Sequence, residues 1–278
     1  MTPATTVLLG AIAGFTIFLG LPVARMGRLS RRVQSFLNAI ATGVLIFLLW
    51  DVLTNASVPV EKALDQVHHG ALGQFVALAL LFLGGIAAGL MSLIYVNRWL
   101  SRRTLGLRRD VLEGPGAALA ADAVVARSHR PLAMMIAVGL GLHNLSEGLA
   151  IGQGAASGAF AFAGTLVVGF ALHNVTEGFG IAAPLAGDPV RPSWGFLGLA
   201  GLVAGGPTVL GTVVGYGATS TYLFVLFLAL AGGALIYVIS EMLQVGRRMN
   251  GQVLLGWGLL IGFAAGYGTD LLLTYLGA

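Results

Sequence analysis

Residues 131–152 read PLAMMIAVGLGLHNLSEGLAIG, an apolar run with one imidazole, His143, and one carboxylate, Glu147, near its middle. About 20 such residues in a helix cross the roughly 30 Å hydrocarbon core of a bilayer, where internal hydrogen bonds alone can satisfy the backbone. Working outward, seven more stretches of this kind give expected spans of 5–24, 33–54, 71–96, 131–152, 159–185, 194–217, 221–243 and 252–276. Composition agrees, with 57% hydrophobic and 9% charged residues, against about 25% charged in soluble domains. An ordinary soluble protein is excluded. The first run has no basic leader and is expected to be kept as helix one. With no cysteine, disulfides, thiolate clusters, zinc fingers and cysteine nucleophiles are excluded.

The expected fold class is therefore all-α integral membrane, a single transmembrane domain over 1–278 with eight helices. Its orientation follows from the basic residues. Arg25, Arg28, Arg31 and Arg32 follow helix one, a group from Arg98 to Arg130 follows helix three, Arg191 follows helix five, and Arg247 and Arg248 follow helix seven. Only Lys62 falls on the other side. The positive-inside bias makes the odd-numbered connections cytoplasmic and puts both termini outside. Arginines placed this way suit topology and anionic headgroups, not nucleic acid. The stretch 97–130 is the one long connection, expected to be cytoplasmic and mobile without forming a domain. Small residues four apart, Gly10/Gly14, Gly85/Gly89, Gly201/Gly205, Gly211/Gly215 and Gly262/Gly266, predict close helix packing.

One short repeat carries the chemistry: Gly-Leu-His143-Asn144-Leu-Ser-Glu147-Gly148 and Ala-Leu-His173-Asn174-Val-Thr-Glu177-Gly178. On a helix His and Glu at i and i+4 share a face, and Asn adjoins it. Both copies fall near mid-membrane on adjacent antiparallel helices. An ionised side chain there costs roughly 2.5–3.5 kcal/mol on insertion scales, and no Lys or Arg lies in the spans away from their ends. A structural ion pair thus lacks its cation, whereas a divalent metal ion would bring two carboxylates close to neutrality. Imidazole and oxygen without thiolate suit Zn²⁺, Fe²⁺, Mn²⁺, Co²⁺ or Cd²⁺ over Ca²⁺ or Mg²⁺. The plainer reading, neutral side chains hydrogen-bonding across a bundle, fits one copy better than it fits two.

These residues resemble the ZIP family of divalent metal transporters, whose fourth and fifth transmembrane helices carry His-Asn-x-x-Glu-Gly and His-x-x-x-Glu-Gly motifs. The resemblance implies a metal site of His143, Asn144, Glu147, His173, Asn174 and Glu177, a 3+2+3 helix arrangement with inverted pseudosymmetry, a homodimeric partner, and an acid on helix seven at Glu241. Three places depart from the family pattern: Ser146 and Thr176 stand where proline is frequent, His129 is the sole histidine of the long connection, and Gly206 before Pro207 stands where relatives carry a metal-bridging glutamate. Two carboxylates match one divalent ion, so one metal per chain is expected, with Gly206→Glu expected to add a second, weaker site.

Asp51 and Asp270, near the expected outer ends of helices two and eight, and Glu241, near the inner end of helix seven, are candidate pathway residues. Glu61, Asp65, His68 and His69 read as a solvated face. The N-x-S/T sequons at Asn144 and Asn174 lie at membrane depth, where no glycan attaches. The expected function is a permease in a plasma (inner) membrane of bacterial type. It carries Zn²⁺ into the cytoplasm without a cofactor or enzymatic step. An intramembrane metallohydrolase and a non-transporting metal sensor are the alternatives. The first lacks His-Glu-x-x-His and, with six candidate ligands, an open position for a reacting water.

Overall fold

The structure, a computed structural model, describes residues 2–26, 30–112, 129–156, 158, 160–187, 190–217, 220–248 and 252–275, with side chains at 31, 100–112, 160–163, 165, 166, 187, 248 and 273 outside that description. Every described regular element is helical. We label the long helices α1 (Pro3–Phe15), α2 (Arg31–Asp65), α3 (Leu72–Leu112), α4 (Arg130–Ala156), α5 (Phe160–Ala182), α6 (Trp194–Gly217), α7 (Thr221–Arg248) and α8 (Gln252–Tyr275). After a break at Thr16, α1 continues as a short helix, Ile17–Gly20, and a 3-10 turn, Leu21–Arg25. Among the described residues seven helical segments are long and apolar enough to cross a membrane. Helix α5 has 23 residues.

Hydroxyl caps begin several helices. Thr2 Oγ1 accepts from the Thr5 amide and Ser193 Oγ from the Phe196 amide, and Ser30 and Ser220 do the same for α2 and α7. Each cap satisfies one of the amides that a first helical turn leaves unpaired. Two helices outrun their expected spans. Helix α2 continues past residue 54 to Asp65, with Pro59 inside it, and α3 continues past 96 to Leu112. Hydropathy marks where the apolar part ends, but the backbone ladder runs on into polar sequence. The first part of the expected long connection is therefore helix; its remainder, 113–128, lies outside the described residues.

The glycine pairs pack as expected. A methyl group on Gly14 would strike Gly205 O and Thr208 of α6, and on Gly211 or Gly215 the Leu145 and Leu149 carbonyls of α4. Gly262 of α8 lies on Ile40 of α2, and Gly89 of α3 on Leu230 of α7. Such contact lets backbones approach and gain dispersion where lipid removes any hydrophobic drive between helices. Thus α1, α4 and α6 interlock, with the Ile17–Gly20 segment packed on α5 through Gly178, and α2 pairs with α8 and α3 with α7. Helix α4 is central and mostly buried, whereas α8 is mostly exposed. The main core joins Leu45, Phe47 and Leu48 of α2 to Ile136 and Leu140 of α4 and Leu235 and Val238 of α7.

Candidate metal centre

Both motif copies are buried where α4 and α5 meet. Asn144 and Asn174 are 0% exposed, and His143, Glu147, His173 and Glu177 are buried with them. His143 Nε2 lies 3.3 Å from Glu147 Oε1 on its own helix and 3.7 Å from Glu177 Oε1 across on α5. Two ligands about 2.0–2.1 Å from a tetrahedral ion stand roughly 3.3 Å apart, so this spacing suits a shared cation. No hydrogen bond fills the gap, because both nitrogens of His143 and both oxygens of Glu147 lack a hydrogen-bonding partner.

The asparagines are set by their amide hydrogens. Asn144 Nδ2 donates to Glu177 Oε2 at 2.9 Å and to the Ala204 carbonyl of α6 at 3.0 Å. With both hydrogens used, its Oδ1 is left free of partners. Asn174 Nδ2 donates to the Ala13 carbonyl of α1 at 2.8 Å, beside the break at Thr16, and its Oδ1 is likewise unpaired. Ser146 and Thr176, at the positions where proline is frequent in relatives, donate to the His143 and His173 carbonyls three residues back.

Among the described residues, twelve buried side-chain atoms lack a hydrogen-bond partner, and nine of them belong to these six motif residues. Leaving a buried polar group unsatisfied costs about 1–3 kcal/mol each. Such a concentration marks a place where the missing partner is not protein. The donors do not form a finished shell: among the described residues no three His, Cys, Asp or Glu side chains are drawn together closely enough to hold a metal ion. The His173 ring lies 6.2 Å from that of Phe47 and within electrostatic reach of His143.

Asp51 lies further from the end of its helix than the expected span suggested. Because α2 runs on to Asp65, Asp51 lies inside the helix and within electrostatic reach of His143, Glu147 and Asp270. Asn55 holds it, donating to its carboxylate at 2.9 Å. Glu241 lies apart, beside Tyr237 on α7, whose hydroxyl accepts from Asn97 of α3 at 2.7 Å.

The expectation for Gly206 fails on geometry. Nothing lies within 4 Å of where its side chain would begin, and it shares a helix face with the exposed Leu202, Leu210 and Val213. A carboxylate there would leave the bundle instead of joining the site. Position in the chain, next to Pro207, carried no information about facing. Sequence reasoning also missed the backbone acceptors of the site, the Ala13 and Ala204 carbonyls, which no residue type encodes.

A family model, ZIP Zinc transporter, matches residues 110–268, a segment running from the end of α3 to within α8 and holding both motif copies. A search among curated proteins matched none. That match covers more than half of the chain, and with it the protein belongs to the ZIP zinc transporter family, membrane proteins that transport divalent metal cations.

Proposed function

We propose that the protein is a permease that moves a divalent transition-metal cation, Zn²⁺ before Fe²⁺, Mn²⁺, Co²⁺ or Cd²⁺, into the cytoplasm through a midplane site on α4 and α5. The observation that carries this reading is the set of nine unpaired polar atoms on His143, Asn144, Glu147, His173, Asn174 and Glu177. Two carboxylates balance one divalent charge, the imidazoles favour transition metals, and the amide oxygens complete the donor set without adding charge. Sulfur is absent from the motif, which disfavours selection of Cu⁺.

In this reading the whole chain is one transmembrane domain of eight crossing helices in a 3+2+3 arrangement. Both termini are outside, the segment after α3 is cytoplasmic, and the protein sits in a bacterial-type plasma membrane as a homodimer. Asp51 and Asp270 attract the cation on the outer side, a role supported by the electrostatic reach of Asp51 to both Asp270 and His143. Glu241 serves the inner end. The chain contains no phosphate-binding Walker motif, which supports movement down a gradient or coupled to another ion. Alternating access around a midplane site is the general solution for such bundles.

Metal uptake into proteoliposomes containing the purified protein is the test. Zn²⁺ accumulation above protein-free vesicles, abolished by Glu177→Ala, is the expected result. Binding without accumulation would identify a sensor and contradict the permease.

A further inference from the structure

Hydroxyls buried in helices ordinarily bond back to a carbonyl three or four residues earlier. The buried Thr6, Thr42 and Thr212 do so here, as do the less buried Thr16, Thr176 and Thr269. Thr208 of α6 does not: it is 0% exposed and its Oγ1 has no partner. Of its two back-bonding acceptors, the Ala204 carbonyl four residues back already receives Asn144 Nδ2 at 3.0 Å, and the Gly205 carbonyl three residues back lies against Gly14 of α1. A carbonyl oxygen offers two lone pairs, and at Ala204 the helix ladder together with the Asn144 amide use both. Ser35 of α2, outside the motif helices, is the other buried hydroxyl without a partner among the described residues.

The surroundings of Thr208 fix where the free hydroxyl stands. A methyl on Gly14 of α1 would lie 2.9 Å from Thr208 Oγ1, and the neighbouring Ala13 carbonyl holds Asn174. The Thr208 carbonyl lies against Gly148, the residue after Glu147. The unpaired Oγ1 therefore occupies the α1, α4 and α6 junction that also anchors both asparagines, each of which has an unpaired Oδ1.

We propose that Thr208 is a seventh cation-binding residue, its hydroxyl joining Asn144 Oδ1 and Asn174 Oδ1 as a neutral oxygen donor on the α1 and α6 side of the two glutamates. This rests on the midplane site proposed above and deepens it, adding a donor from a third helix. A neutral oxygen raises the coordination number without adding charge. It therefore helps a harder ion that takes more oxygen ligands, such as Mn²⁺, more than it helps Zn²⁺.

The test compares Thr208→Val, which keeps shape and removes the hydroxyl, with Thr208→Ser, Thr212→Val and Glu177→Gln in purified protein, measuring Kd for Zn²⁺ and Mn²⁺ by calorimetry and the metal-free Tm. Thr208→Val should weaken Zn²⁺ binding by about tenfold, the scale of one neutral donor, and Mn²⁺ binding more. Its metal-free Tm should be unchanged or higher, because an unsatisfied hydroxyl has been removed. Thr208→Ser should restore both affinities. Thr212→Val, which loses a hydroxyl already bonded to Thr208 O, should lower Tm and leave Kd unchanged. Wild-type affinities in Thr208→Val, alongside lost binding in Glu177→Gln, would overturn the assignment of Thr208 and leave the midplane site standing. Failure of Ser to restore affinity would also overturn it, by tracing the effect to shape. Unchanged binding in Glu177→Gln would instead overturn the site itself. Thr208→Ala is the second hydroxyl deletion should the valine variant accumulate poorly.

Discussion

The two copies of His-Asn-x-x-Glu-Gly have nearly the same sequence and different surroundings. In the α4 copy, His143 faces both glutamates and Asn144 is fixed by two hydrogen bonds reaching α5 and α6. In the α5 copy, His173 lies beside Phe47 and within electrostatic reach of His143, and the Asn174 amide donates to a backbone carbonyl of α1, that of Ala13. The difference follows from position: α4 is buried among α1, α5, α6 and α7, whereas α5 exposes Val168 and Leu172. A motif states which donors a helix carries, and its neighbours decide how far those donors are held in advance. Preorganised groups lose less freedom on binding, so the α4 copy should supply the larger share of affinity.

The largest expected effects sharpen this comparison at the carboxylates. Glu147→Ala and Glu177→Ala each remove one of the two charges that balance the cation. Proteoliposome uptake should fall beyond the roughly 10–100-fold that outer-shell changes give, while the protein remains in the membrane. Uptake near wild-type in both variants would dismiss the site. The histidines come next. His143→Ala should reduce uptake more than His173→Ala, because only His143 already stands within 4 Å of both glutamates. Equal losses would show that the asymmetry is erased when metal binds.

Smaller effects are expected at the asparagines, whose amide oxygens are weaker donors. Asn144→Ala should exceed Asn174→Ala, since it frees Glu177 Oε2 and the Ala204 carbonyl together. Metal titrations of the two variants should show that order, and the reverse order would break the comparison. The smallest effect belongs to Gly206. Gly206→Leu should transport as wild-type, because its side chain would enter open space on the lipid-facing side of α6. A strong defect there would show that this face is covered by something else.

Much of this was legible in the sequence. Apolar runs located the helices, and the glycine pairs marked where helices pack closely, though not that Gly14 would meet α6 or Gly262 would meet α2. The doubled motif named six residues that the fold buries together. Helix ends were not legible, because polar extensions such as 55–65 of α2 carry no apolar signal and Pro59 reads locally as a breaker. The facing of Gly206 and the carbonyls that hold both asparagines were hidden for another reason: both depend on how a helix is rotated against its neighbours. Thr208 was visible as a hydroxyl beside Pro207, but its lack of a partner depends on what packs around it from elsewhere in the chain.

The most direct measurement is anomalous scattering at the zinc edge from crystals of the unmutated protein grown with Zn²⁺. The account predicts one well-occupied peak per chain between α4 and α5, bounded by His143, Glu147 and Glu177. A zinc peak elsewhere in the bundle with none at these residues would contradict it.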